Sequence, residues 1–293
     1  MSETPTQITS MQDRTVVITG ANSGIGLETA AALAGAGARI VMGCRNPVTA
    51  AAAVDEVRRR SGNDAVETRP LDLADLAAVR RFADDLADLD RIDVLINNAG
   101  LMLDQRAESA QGHEMMFATN HLGPFLLTSL LTDQVVAAPH GRIINVASVA
   151  HRLAPRGIDW SDIERRRRFH MWTVYGQTKL ANILHADELA RRLWDRGVVV
   201  HSLHPGNVAS GFGGHGDLHG FYAGLFRAGR FVLITPEQGS RTSVHLASSP
   251  DALRTTGGYW SRRRRATPSR AGRDVLSAAE LWRRSESLIR ELS

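Results

Sequence analysis

Apolar residues in this chain fall into short β-branched runs separated by longer amphipathic or alanine-rich stretches. Strand-like runs recur at 14–19, 38–43, 65–71, 92–96, 141–147 and 198–204. The first, RTVVIT, is apolar on both faces, as a strand buried in a parallel sheet requires. Helical stretches such as LETAAALAGAGA lie between the runs. This alternation predicts an α/β fold, a doubly wound parallel sheet with helices on both faces. A chain of 293 residues can form one such domain with a sizeable core. No repeat or break in composition marks a second. Residues 1–12 are polar and expected to be frayed, leaving 13–293 as a single domain.

The turn after the first run changes the picture from fold to ligand. It reads Gly20-Ala21-Asn22-Ser23-Gly24-Ile25-Gly26, between a strand and a helix start. Unpaired backbone N–H groups and the positive end of the helix dipole would there face a pyrophosphate. Glycines suit the turn because a Cβ would block the phosphates or force an unfavourable φ. The spacing G-x-x-x-G-x-G differs from G-x-G-x-x-G, and no Lys-Ser/Thr follows as in a phosphate-binding Walker loop. The fold expected is thus Rossmann-type. The second run ends in Cys44-Arg45-Asn46. A dinucleotide fold usually carries an acid near here for the ribose 2′-hydroxyl. A guanidinium instead can bind a 2′-phosphate through charge-assisted hydrogen bonds, which points to NADP(H) over NAD(H).

Charge and composition exclude other classes. The formal net charge is +4, and the sequence pI is about 9.9. The excess lies in two runs, Arg165 to Arg168 and Arg262 to Arg265. Neither lies in a recognition helix or among interleaved aromatics, so both read as solvated surface and no nucleic-acid partner is expected. No apolar stretch reaches eighteen residues, and no basic-plus-apolar leader is visible, so no membrane anchor is expected. The single cysteine cannot form an internal disulfide and fits a reducing, cytoplasmic setting.

The chemistry is carried by Tyr175 and Lys179, four residues apart in TVYGQTKLAN. On a helix they share a face. An ammonium beside a phenol favours the phenolate, so Tyr175 is expected to have a lowered pKa and to move protons nearer neutrality. In chain order stand also Leu71-Asp72-Leu73, Asn97-Asn98-Ala99-Gly100, Asn120 in FATNHLGPFLLT, Ser148 after GRIINVA, and His204-Pro205-Gly206. Together these motifs resemble the short-chain dehydrogenase/reductase family over nearly the whole chain. The segments ANSGIG, CRN, TNHLGPFLLT and HPGNV look most like its retinol dehydrogenase-like, NADP(H)-using branch.

The resemblance implies roles. Tyr175 would be the general acid or base, Ser148 would hold the substrate oxygen, Lys179 would lower the tyrosine pKa and hold the nicotinamide ribose, and Asn120 would place a water linking Lys179 to solvent. Cofactor contacts would come from Gly20, Asn22, Ser23, Gly24, Ile25 and Gly26, with Arg45 and Asn46 at the 2′-phosphate. Asp72 and Leu73 would meet the adenine, and the backbone of Asn98, Ala99 and Gly100 the adenosine ribose. Pro205, Gly206 and Val208 would lie against the nicotinamide. Asn97 would brace the sheet. The function implied is an NADP(H)-dependent oxidoreductase interconverting a carbonyl and an alcohol on a small, apolar substrate. The alternatives are an enone reductase and a non-catalytic NADP(H)-binding regulatory protein. The family often pairs the helices carrying Asn120 and Tyr175 across subunits, so a homodimer or homotetramer is expected.

Two other chemistries compete. Ser148 and His151 suggest a hydrolase, but no G-x-S-x-G elbow surrounds the serine. His215 and His219 could share a helix face, but H-E-x-x-H is absent, and no metal is expected. Residues 209–233, which follow the cofactor-binding Pro-Gly, are the expected substrate lid. Residues 261–293 form a C-terminal extension.

Overall fold

The computed structural model describes residues 8–206 and 234–290. Among them, eight strands form one sheet: β1 (Thr15–Thr19), β2 (Arg39–Cys44), β3 (Val66–Pro70), β4 (Val94–Asn97), β5 (Arg142–Val146), β6 (Val199–His204), β7 (Gly258–Ser261) and β8 (Arg264–Arg265). The order is β3-β2-β1-β4-β5-β6-β7-β8, parallel except for β8, which runs antiparallel to β7. The winding reverses between β1 and β4, where Val17 lies opposite Leu95. All six strand-like runs of the sequence are strands, within two residues of their expected bounds. The doubly wound parallel sheet is therefore as expected, with β7 and β8 added at one edge.

Alternate strand residues feed opposite layers, as the period of two demands. Val16, Ile18, Ile40 and Met42 enter a core shared with α1 (Gly24–Gly35) and α2 (Pro47–Ser61). Val17, Val41 and Leu95 enter the other core, beneath α3 (Leu76–Asp85). That second face also carries α4, which runs from Met115–Phe117 through a π-helical turn at Ala118–Leu122 into Gly123–Val136. Beside α4 lies α5 (Met171–Arg192). The first face is completed by α6 (Pro236–Ser248), and α7 (Val275–Arg290) packs on α5.

Several expectations need correcting at this level. Fraying does not extend through residue 12: Met11 is buried and its N–H donates to Ala36 O at 2.8 Å. The arginine run 165–168 is not simply solvated. The Arg165 side chain is buried and pairs with Asp159 at 3.2 Å, and the Asp162 carboxylate accepts the backbone N–H groups of Arg166, Arg167 and Arg168. In the second run, Arg262 and Arg263 make the two-residue turn between β7 and β8, both with positive φ (48° and 63°). The face of α4 and α5 on which subunits were expected to pair already carries α7: His121 Nε2 lies 2.7 Å from Ser285 Oγ, and Phe125 meets Trp282 edge-on at 4.9 Å. Any pairing there would have to include α7.

Candidate active site and cofactor cleft

The carboxyl ends of β1, β4, β5 and β6 converge where the winding reverses, which in an open α/β sheet is where ligands bind. At the end of β1, Gly20 and Gly24 both have positive φ (65° and 56°). A Cβ on Gly26 would lie 2.4 Å from Gly20 O and 2.6 Å from Asn98 Nδ2, so only glycine lets α1 approach the sheet so closely. Ser23 is the N-cap of α1, but its side chain makes no capping bond, and the first turn holds no acid. The helix start is thus left open to an anion. Thr19 Oγ1 accepts from the N–H groups of Asn98 and Ala99, both at 3.0 Å, and Asn98 Nδ2 donates to Thr19 O and Gly20 O. The Asn98 side chain therefore braces the glycine turn, leaving the Asn98–Gly100 backbone as the surface a ribose could meet. Asn97 donates to Thr128 Oγ1 and Asn145 Oδ1, both at 2.9 Å, the bracing role expected of it.

At the ends of β2 and β3 is a cavity of about 600 Å³ lined by Arg45, Leu71, Asp72, Arg81, Asp84 and Asp85. Arg45 is exposed at its mouth. Cys44, in the slot where an acid would hold a 2′-hydroxyl, is buried, and burial pushes its thiol up. Asp72 lines the cavity, and its Oδ1 also accepts from Ala74 N–H at 2.9 Å. Leu73 is buried, and its carbonyl lies so close to α4 that a Cβ on Gly123 would come within 2.3 Å of it. Asn46 Oδ1 caps α2, accepting from Val48 N–H at 2.9 Å and Thr49 N–H at 3.2 Å. Asn22 reaches across to Thr49 Oγ1 at 3.1 Å. Ile25, within α1, is half-buried.

The proton-transfer candidates come together at the ends of β5 and α5. Tyr175 and Lys179 share one face of α5, both buried, with the ammonium 5.7 Å from the phenol ring centre. Lys179 Nζ donates to Val146 O at 3.2 Å. Ser148 follows β5 and hydrogen-bonds the Tyr175 phenol through its side chain. Its Oγ also accepts from Ala150 N–H at 3.1 Å, capping the 3₁₀ turn Val149–Leu153. Asn120 occupies the π-helical turn of α4, a distortion frequent at functional sites. Asn120 exchanges bonds with the Leu101 backbone (2.7 and 2.9 Å) and donates to Thr178 Oγ1. A Cβ on Gly100 would stand 3.0 Å from Lys179 Nζ and 3.2 Å from Asn120 Oδ1, so the last glycine of N-N-A-G keeps the way to both open.

The expected sign of the tyrosine shift is overturned among the protein's own groups. Burial pushes the Tyr175 phenol up, and the Ser148 hydrogen bond only partly draws it back. Burial likewise lowers Lys179, to about 8. Desolvation acts on both charged forms, and at this separation it outweighs the lysine's attraction for a phenolate. Two residues that pack on the site acquire their neighbours only in the structure, although His151 is paired with Ser148 as a hydrolase candidate in the sequence. Gly176 follows Tyr175, and a Cβ there would meet Ala150 O at 2.8 Å and Leu153 Cβ at 3.1 Å. Its glycine lets the serine turn lie against the tyrosine helix. The second is His151, which is buried behind Ser148. Pro205 and Gly206 end β6, Gly206 with φ 98°. Val208, His215, His219 and the expected lid at 209–233 lie outside the described residues. No group of three or more metal-ligating side chains occurs among the described residues, and none of their helices is long and apolar enough to cross a membrane.

Residues 14–215 match the family described as short chain dehydrogenase. Human retinol dehydrogenase 13 is 37% identical over 281 residues, covering 94% of this chain and 84% of that protein. Human retinol dehydrogenase 11 is 38% identical over 278 residues, covering 94% and 86%. A solved structure of an uncharacterized Mycobacterium paratuberculosis protein is 34% identical, with a TM-score of 0.78 and coverage of 99% and 98%. The fold and the shared sequence make this chain a member of the short-chain dehydrogenase family. Within that family it is retinol dehydrogenase-like, an oxidoreductase whose kind acts on small molecules.

Proposed function

We propose that the protein is an NADP(H)-dependent oxidoreductase that interconverts an apolar carbonyl compound and its alcohol. The observation that carries this reading is the convergence of Tyr175, Lys179, Ser148 and Asn120 at the carboxyl edge of the sheet, beside an uncapped helix start. The residues present fit the cofactor. The α1 N-terminus with Gly20, Ser23 and Gly24 would take the pyrophosphate, Arg45 the 2′-phosphate and Asp72 the adenine amine. When bound, the nicotinamide supplies the hydride. Ser148 orients the substrate oxygen, and Tyr175 donates the proton that oxygen needs. Lys179 holds ribose hydroxyls, and Asn120 joins it to the Leu101 backbone on the way to solvent.

The raised phenol sets the protonation state of the free site. A buried Tyr175 is protonated at neutral pH, the form a general acid requires in carbonyl reduction. In alcohol oxidation the same group would act as the base. The substrate class follows from the surroundings. Tyr175 clusters with Met102, Met116 and Met171, and half-buried Leu103, Phe169 and Trp172 lean on that cluster. Such a wall accepts an apolar group and leaves the hydroxyls of Tyr175 and Ser148 to fix its oxygen. The lone cysteine is buried and free, in keeping with a cytoplasmic setting.

The test is NADPH oxidation against a panel of aldehydes, ketones and enones, including retinal, aromatic aldehydes and steroid ketones. Tyr175→Phe should leave NADPH affinity within a few-fold while removing most turnover. Turnover of a simple enone in preference to every carbonyl, or full activity of the phenylalanine variant, would defeat the reading.

A further inference from the structure

His151 has no part in the chemistry above, yet its ring is fully committed. It is buried in the turn Val149–Leu153. The Ser148 carbonyl oxygen accepts its backbone N–H at 3.1 Å and lies 2.7 Å from its Nδ1. On the far side of the ring, Nε2 accepts the backbone N–H of Ser269 at 3.0 Å. A backbone N–H can only donate, so Nε2 carries no proton. Nδ1 therefore carries it and donates to Ser148 O, which fixes one neutral tautomer. Tyr259 packs edge-on against the ring at 5.3 Å.

Ser269 lies in the segment between β8 and α7, which is tied to the same turn by Arg152 Nη2 donating to Thr267 O at 3.1 Å. The opposite side of the turn rests on α5 at Gly176. The serine turn is thus clamped between the tyrosine helix and the C-terminal segment, with the imidazole as the bridge to the latter.

We propose that His151 is a positioning residue for Ser148, a neutral imidazole that couples the C-terminal segment to the serine and sets where its hydroxyl meets the substrate oxygen. The groups facing the ring are Arg152 on its own turn, His204 from β6, Tyr259 from β7 and the Ser269 N–H, with Arg262 behind His204. None of these is a carboxylate. A second ring proton would find no counter-charge and would oppose the Ser269 N–H. Burial and Arg152 hold the His151 pKa below its ordinary value, while the bond to Ser148 O acts the other way. The clamp holds at neutral and alkaline pH and opens in acid.

This inference rests on the proposed oxidoreductase activity and on Ser148 acting in it. The test uses the full chain, with the carbonyl that the wild type reduces fastest. His151→Phe removes both ring bonds. His151→Asn keeps a donor near the Nδ1 position and loses the bridge to Ser269. His151→Phe should lower kcat by about 10- to 100-fold, with NADPH affinity within twofold of wild type, and His151→Asn should recover part of that loss. If His151→Phe does not fold, the asparagine variant carries the test, since its kcat should lack the acid-side fall of the wild type. Independently of turnover, histidine ¹⁵N spectra should show, as the signal missing from His151→Asn, an Nδ1–H tautomer that does not titrate at pH 6.5 or above. Unchanged kcat in His151→Phe, parallel loss of NADPH affinity, an unchanged acid limb in His151→Asn, or an Nε2–H or freely titrating ring would each overturn the inference. A wild type that oxidises no NADPH with any panel compound would defeat the functional reading as well.

Discussion

Replacing Lys179 by Met should make the protein more stable at neutral pH and unable to hold the cofactor well. Lys179 is buried, and burial lowers its pKa from 10.5 to about 8. Below pH 8 both the folded and unfolded chains keep the proton, and the folded state bears the full cost of burying the ammonium. Between pH 8 and 10.5 the folded chain releases that proton while the unfolded chain retains it, so stability rises with pH. Above 10.5 both are neutral and the cost has gone. At about 1.4 kcal/mol per pH unit of separation, the cost is about 3 kcal/mol. The lost hydrogen bond to Val146 O offsets about 1 kcal/mol of the gain. The carbonyl itself keeps a partner, since Asn182 Nδ2 donates to it at 3.2 Å. Lys179→Met should thus be about 2 kcal/mol more stable than wild type at pH 7 and about 1 kcal/mol less stable above pH 10.5. Urea unfolding of both proteins across this range, read as the difference at each pH, isolates the lysine from other titrations. A difference that does not vary with pH, or a variant less stable at pH 7, would refute the reasoning.

Three further outcomes follow from the same geometry. Arg45→Ala should weaken NADPH binding by about 1.5–3 kcal/mol, the worth of a charged hydrogen bond, while leaving NADH nearly unaffected; titration with both cofactors checks it, and equal losses would remove the 2′-phosphate assignment. Gly176→Ala pushes a methyl against Ala150 O and should cost about 1–3 kcal/mol of stability, with kcat falling further than NADPH affinity because the serine turn moves. Arg262 is exposed with φ 48°, so Arg262→Gly should raise stability by about 1 kcal/mol in thermal or urea unfolding.

The parts of the fold legible in the sequence were those with a local cause. Strands buried on both faces read as continuous β-branched runs, so β1 to β6 stood out. The edge pair β7 and β8 did not, because four residues of GYWS and two arginines carry no such run and their turn is Arg-Arg where Asn-Gly is usual. The Asn46 cap had a visible signal, an asparagine directly before a proline at the first helical position. Gly176 had none, and His151 had only its nearness to Ser148. One acquires its meaning only when the serine turn is laid on α5, the other only when a segment 118 residues later reaches it.

The tyrosine shows where sequence reasoning stops short of chemistry. Spacing alone placed Lys179 beside Tyr175, and the structure agrees. The sign of the phenol's shift depended on a quantity spacing does not contain, the water both groups lose in α5. With that loss included, the pair is better described as a neutral acid beside a lysine that titrates near pH 8 than as a standing phenolate and ammonium. In the free protein such a site keeps its phenolic proton. Met102, Met116 and Met171, which cluster with Tyr175, thus bear on where the phenolic proton sits as well as on the core.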